Sequence, residues 1–176
     1  MKNIVLGSMG EVTVSFVPAI GETPIIPLYL RQLANLIDNG HAHSSIIEQI
    51  TNRTRAIIAE IDGDIIGFII FDSLGELGPR LFGSLYDEEE HPLWIFQEYV
   101  AIIHRRKGIY KFMYECFCTY AMSQGSNCMR SLVSNTNAVR IQVSNSMIGR
   151  DLLPSESFPG YLLQRHHFKN IESQNN

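Results

Sequence analysis

The sequence predicts an α/β fold, and three observations carry that prediction. Strand-like and helix-like segments interleave, in the order strand, two helices, three strands, helix, strand, helix, strand. Two apolar runs, Ala56 to Ile61 and Ile65 to Phe71, flank Asp62-Gly63-Asp64, and an Asp-Gly pair between such runs signals a tight hairpin. A strand-like segment, Trp94 to Ile103, passes through the basic turn Arg105-Arg106-Lys107-Gly108-Ile109-Tyr110 into a helix-like segment, Tyr110 to Ser123.

The elements follow in order. Glu11 to Ala19 alternates Val12, Val14 and Phe16 with smaller or polar residues and reads as the first strand. Pro24 to Ile37 reads as a helix with Leu30, Leu33 and Ile37 on one face, closed by Asn39-Gly40. Ser45 and Glu48 form a capping box that opens a short helix through Ile50. His41 and His43 flank that junction and, with no further ligands nearby, read as exposed loop residues. The hairpin comes next. Ser73 to Pro92 is a long connection with three glycines and two prolines, and it carries the acidic run Asp87 to Glu90.

After the basic turn, Ile109, Phe112, Met113, Cys116 and Tyr120 recur at helical spacing, a stripe that packs into the core. Met129 to Val133 is a further strand, and Asn135-Thr136-Asn137 opens a helix through about Met147 that Gly149 ends. Tyr161 to Phe168 is the last strand, and Glu172 to Asn176 a frayed polar tail.

The chain has 176 residues, which fits a single domain, residues 1–176, with its core over about 11–168. Hydrophobic residues make up 45% and charged residues 18%, an ordinary globular composition. The net charge of −4 argues against nucleic acid as a partner. Cys116, Cys118 and Cys128 have no metal-ligand spacing and read as free thiols in a reducing cytoplasm, so no metal is expected. Met1 to Gly10 has one lysine and a three-residue apolar run, too short for a signal peptide, and no stretch approaches membrane-spanning length.

The basic turn is an anion-binding device by its composition. The first N–H groups of a helix have no intrahelical partner and the macrodipole is positive there, so phosphate fits. Three cationic side chains add a field of the same sign. A Walker-type P-loop is excluded, because no Gly-Lys-Ser/Thr follows.

These residues also resemble a known family. Val100-Ala101-Ile102-Ile103-His104-Arg105-Arg106-Lys107-Gly108-Ile109-Tyr110 is similar to the acetyl-CoA motif of the GNAT N-acetyltransferases, Q/R-x-x-G-x-G/A after a strand that ends in valine. Arg105, Gly108 and Val100 match; Tyr110 stands where the family has a small residue. The resemblance implies a mixed, mostly antiparallel sheet with splayed central strands flanked by helices. It implies an N-acetyltransferase that moves an acetyl group from acetyl-CoA to a primary amine in a ternary complex, without a metal. Backbone at Val100 and Ile102 would bond the pantetheine arm and acetyl carbonyl, and Arg105, Arg106, Lys107, Gly108, Ile109 and Tyr110 would hold the pyrophosphate. Asn137 matches the family asparagine that contacts the CoA arm, with Asn135 a competing choice. The family often forms homodimers.

Within that frame Glu98 is the candidate general base. Alternation sets Trp94, Phe96, Glu98 and Val100 on one face of the strand, and Gln97 and Tyr99 on the other. A carboxylate buried among apolar groups has a raised pKa, which suits a base. The family often has a tyrosine seven residues after the asparagine as general acid; here that position is Ser144, so the acid is unassigned. His104 reads as a surface residue, and of the adjacent His166 and His167 at most one lines a cleft. The acidic run Asp87 to Glu90 favours a cationic acceptor. Tyr110 and Ser144 favour the alternative, a non-enzymatic acyl-CoA-binding or regulatory module on the same fold.

Overall fold

In the computed structural model of the chain, residues 3–18, 55–72, 92–145, 150–154 and 159–168 are described. They divide between two compact units. One comprises Met1–Asp72 with Gln97–Tyr120, the other Ser73–Phe96 with Ala121–Asn176.

The first unit is built on hairpins. Strand β1, Ile4–Met9, turns at Gly10 (φ 61°) into β2, Val12–Val17, and the two pair antiparallel from Ile4↔Phe16 to Met9↔Val12. β2 pairs antiparallel with β3, Arg55–Ile61, over Thr13↔Glu60 to Val17↔Ala56. β3 returns as β4, Asp64–Asp72, through Asp62 (φ 51°) and Gly63 (φ 86°). Two consecutive left-handed residues are what a two-residue hairpin turn needs to match strand twist. The order continues from β4 to β5, Leu93–Val100, whose C-terminal half lies in this unit.

Helix α1, Ile109–Ser123, runs through Tyr120 in the same unit. Its buried stripe is Ile109, Met113, Cys116 and Phe117. Phe117 meets Phe71 edge-on at 5.0 Å and Tyr120 stacks on Phe16 at 4.2 Å. Burying each large side chain of this kind stabilises the fold by roughly 1.5–3 kcal/mol.

Gly67 of β4 sits at a close approach. A Cβ there would lie 2.9 Å from the Tyr99 carbonyl oxygen and 3.0 Å from Met113 Sδ. Only glycine lets β4 pass β5 and α1 at that distance. Gly67→Ala is therefore expected to lower the urea midpoint by an amount equivalent to about 1–3 kcal/mol, the usual range for overpacking. An unchanged midpoint would show that the strands can move apart freely.

In the second unit the N-terminal half of β5 pairs parallel with β6, Cys128–Ser134, from Leu93↔Met129 to Ile95↔Ser131. β6 pairs antiparallel with β8, Tyr161–His167, and β8 with β7, Arg150–Pro154, giving the order β5-β6-β8-β7. A parallel ladder among antiparallel ones makes the sheet mixed. Helix α2, Ala138–Asn145, begins where Ile141 N–H bonds the Asn137 carbonyl at 3.0 Å.

Most expected elements are present, with four corrections. β1 falls on Met1 to Gly10, where the sequence shows no alternation; Ile4 is 56% and Val5 62% exposed, so the side chains do not alternate between core and solvent. β7 is likewise absent from the sequence pattern, being five residues paired to β8 at the end of the sheet order. The strand expected over Trp94 to Ile103 stops at Val100, because Ala101 N–H bonds the Ile66 carbonyl of β4 and the chain then coils into a 3₁₀ turn, Ile102–His104. The helix expected from Tyr110 begins at Ile109. The helices over 24–37 and 45–50, His41 and His43, the acidic run 87–90, Met147, Gly149 and the tail lie outside the described residues.

Candidate active site

The end of β5 and the start of α1 are tied together by backbone and by the Arg105 side chain. His104 N–H bonds the Ala101 carbonyl at 2.8 Å and Arg105 N–H the Ile102 carbonyl at 3.2 Å, which closes the 3₁₀ turn. Arg105 then folds back: its Nε–H donates to the Val100 carbonyl at 2.8 Å, and its guanidinium lies 5.7 Å from the centre of the Tyr99 ring. A cation over a ring face adds electrostatic attraction. Burial pushes the Tyr99 phenol up, and the Arg105 charge pulls it the other way.

The turn itself uses two left-handed residues, Arg106 (φ 62°) and Gly108 (φ 78°). Gly108 suits that conformation; a side chain on Arg106 costs roughly 1–2 kcal/mol there. Arg106→Gly is therefore expected to raise stability by about 1 kcal/mol, a shift of about 2–4 °C in Tm for a chain of this size. Differential scanning calorimetry measures it, and a Tm at or below that of the parent would mean that Arg106 makes contacts worth more than its strain.

The first helical hydrogen bond of α1 runs from Phe112 N–H to the Gly108 carbonyl at 3.0 Å. The N–H groups of Ile109, Tyr110 and Lys111 precede it and have no acceptor within the helix. No acidic residue stands in this first turn. Arg106, Lys107 and Gly108 are exposed, and a Cβ on Gly108 would meet nothing within 4 Å. The result is an open, positively polarised helix start beside three exposed cations, of which Arg105 also bonds back to the turn through its Nε–H.

Glu98, half-buried, accepts a hydrogen bond at Oε1 from the Tyr110 hydroxyl at 2.8 Å. Its face of β5 is the one that α1 covers, since Val100 Cγ2 and Met113 Sδ both approach the Gly67 position. The Tyr110 ring packs at 6.1 Å from Tyr114, itself 5.8 Å from Phe117. Sequence reasoning misses this link between strand and helix; its one signal is a large residue at a position that is small in the motif.

Asn137 precedes α2 in the second unit, with its N–H bonded to the Ser134 carbonyl at 3.0 Å. Asn135 donates its N–H to the Gly160 carbonyl. The side chain of Ser144 lies outside what is described. Ile102 is exposed, His104 half-buried, and His166 is buried on β8 with its ring edge-on to Phe168 at 5.5 Å.

The sequence profile of the acetyltransferase (GNAT) family matches residues 28–142, most of the chain and all of the turn and helix just described. The chain belongs to the GNAT acetyltransferase family. No curated protein matches it. Among solved structures, smu.2055 from Streptococcus mutans is similar at 17% identity and a TM-score of 0.61, over 87% of this chain and 98% of that one. A GNAT family acetyltransferase from Elizabethkingia anophelis, solved with acetyl-CoA bound, is similar at 15% identity and a TM-score of 0.57, over 88% and 97%. The ribosomal-protein-S18-alanine N-acetyltransferase from Escherichia coli is similar at 12% identity and a TM-score of 0.58, over 88% and 94%. These likenesses establish the GNAT fold, in line with the order of strands and helices in the sequence. In this GNAT protein no helix among the described residues is long and apolar enough to cross a membrane.

Proposed function

We propose that this GNAT protein is an N-acetyltransferase that uses acetyl-CoA and acts on a primary amine, with one catalytic domain over residues 1–176. One observation supports the reading most: the helix start at Ile109 to Lys111, opened by left-handed Arg106 and Gly108 and free of acidic residues in its first turn. Backbone N–H groups aimed outward at such a terminus suit a diphosphate. Acetyl-CoA supplies the acyl group as an activated thioester.

In this reading the pyrophosphate lies on Gly108, Ile109 and Tyr110, flanked by Arg106, Lys107 and the exposed guanidinium of Arg105, whose Nε–H also keeps the turn in shape. The carbonyls of Val100 and Ile102 accept from Arg105 Nε–H and Arg105 N–H, so the pantetheine arm would meet this backbone beside those bonds. Glu98 accepts the proton that leaves the amine as its nitrogen bonds the acyl carbon; the carbon–sulfur bond breaks, and the thiolate takes a proton from solvent. Holding both reactants in place supplies much of the acceleration. The acceptor is cationic, drawn by the carboxylates of Asp87 to Glu90.

The test pairs calorimetry of acetyl-CoA and CoA binding with thiol release against spermidine, an aminoglycoside, a lysine-rich peptide and a neutral arylamine. Binding with release from the cationic amines supports the reading. Binding without release from any of them would favour the acyl-CoA-binding module, and no binding by folded protein would remove both.

A further inference from the structure

We infer that Tyr110 is a positioning residue for Glu98, so that the helix start that takes the anion also sets the place of the proton acceptor. The inference rests on the reading of Glu98 as base. Its observation is the hydrogen bond from the Tyr110 hydroxyl to Glu98 Oε1 at 2.8 Å, which joins residues 12 apart, one on β5 and one in the first turn of α1.

Two facts make the phenol a fixed point rather than a chance contact. The Tyr110 ring lies 6.1 Å from Tyr114, tilted 29° from its plane, and Tyr114 is 2% exposed. Tyr114 in turn packs 5.8 Å from Phe117, which is wholly buried. The row 110, 114, 117 follows one helical face into the core. A glutamate has several rotamers to choose among on a half-buried strand, and a charge-assisted bond to an anchored donor selects one. A carboxylate has about four acceptor sites, so a phenol on one oxygen leaves room for the amine proton.

This also accounts for the departure at Tyr110. A glycine or alanine at that position has no atom that reaches β5. The chain gives up the small residue and gains a strut between the two halves of the site, both within the first unit.

The experiment compares Tyr110→Phe, Glu98→Gln and the double variant. Phenylalanine keeps the ring row and removes only the hydroxyl. Thiol release from acetyl-CoA is followed with spermidine, an aminoglycoside and a lysine-rich peptide, alongside calorimetric acetyl-CoA affinity and urea unfolding. Tyr110→Phe is expected to lower kcat roughly tenfold, to leave the acetyl-CoA Kd and the acceptor KM within about twofold, and to have no further effect on kcat when Glu98 is already glutamine. Urea unfolding shows that each variant is folded. Equal kcat in wild type and Tyr110→Phe, with Glu98→Gln impaired, overturns the positioning role and leaves Glu98 as base. Additive losses in the double variant also overturn it, since a purely structural tyrosine acts in either background. Full activity in Glu98→Gln, or no thiol release from wild type with any acceptor, removes the base and the inference with it.

Discussion

Glu98→Gln is expected to lower kcat/KM by about 10²- to 10⁴-fold, the range that a general base contributes, while acetyl-CoA affinity changes by no more than about twofold. The amide keeps the size of the carboxylate and can still accept the Tyr110 hydroxyl at its oxygen, so the bond from the first turn of α1 survives. What disappears is the capacity to take a proton. The two measurements therefore separate: calorimetry reads the helix start, and turnover reads the acceptor of the proton. A loss of acetyl-CoA binding comparable to the loss in kcat/KM would place Glu98 in the cosubstrate site instead. An unchanged kcat/KM would move proton acceptance to a water chain.

Gly108→Asp is expected to weaken acetyl-CoA binding by about 100-fold, the equivalent of roughly 3 kcal/mol. The cause is not crowding, because a Cβ at Gly108 meets nothing within 4 Å. It is conformation and charge. Gly108 sits at φ 78°, where an ordinary side chain costs roughly 1–2 kcal/mol. A carboxylate at the mouth of the helix start adds roughly another 1 kcal/mol of repulsion toward the incoming phosphates through their like charge. Gly108→Asn divides the two terms, since asparagine has the same shape without the charge and tolerates the left-handed region better than most residues. Its loss should stay below about tenfold. Calorimetry on both variants, with circular dichroism to show that each is folded, decides it. Equal affinities for the aspartate and asparagine variants would mean that no anion lies at this turn.

The legible part of the fold is the part whose side chains alternate or recur. β2, β3 and β4 announce themselves through Val12, Val14, Phe16 and the two runs around Asp62-Gly63, because each has a buried face and the turn demands special dihedrals. β1 and β7 are illegible because backbone bonds define them. Ile4 and Val5 look outward, and Arg150–Pro154 carries no alternation at all. The early end of β5 is hidden by Ile102 and Ile103, which extend the apolar run in sequence but are 54% and 78% exposed in the turn. Nothing in a strand pattern reveals that Ala101 has found the Ile66 carbonyl.

The basic turn is legible for the opposite reason. It is local: six consecutive residues, with a glycine and three cations, carry it. Sequence does not show that Arg105 also bonds the Val100 carbonyl, because that bond depends on where the turn folds back. The Glu98–Tyr110 bond is out of reach as well. Twelve residues and a change from strand to helix separate the partners, and only the packed face of β5 against α1 brings them together.

The helix that opens the turn is gripped from well outside the motif. A Cβ on Gly7 of β1 would lie 3.1 Å from the Phe112 ring, and Phe16 of β2 stacks on Tyr120. Both strands precede residue 28, where the family match begins. A boundary drawn at the family match and used to transplant the domain would carry the whole basic turn while discarding what steadies its helix at both ends. Engineering that seeks to retune the proposed cosubstrate site can therefore work at Gly7 or Phe16, leaving every residue of the motif as it is.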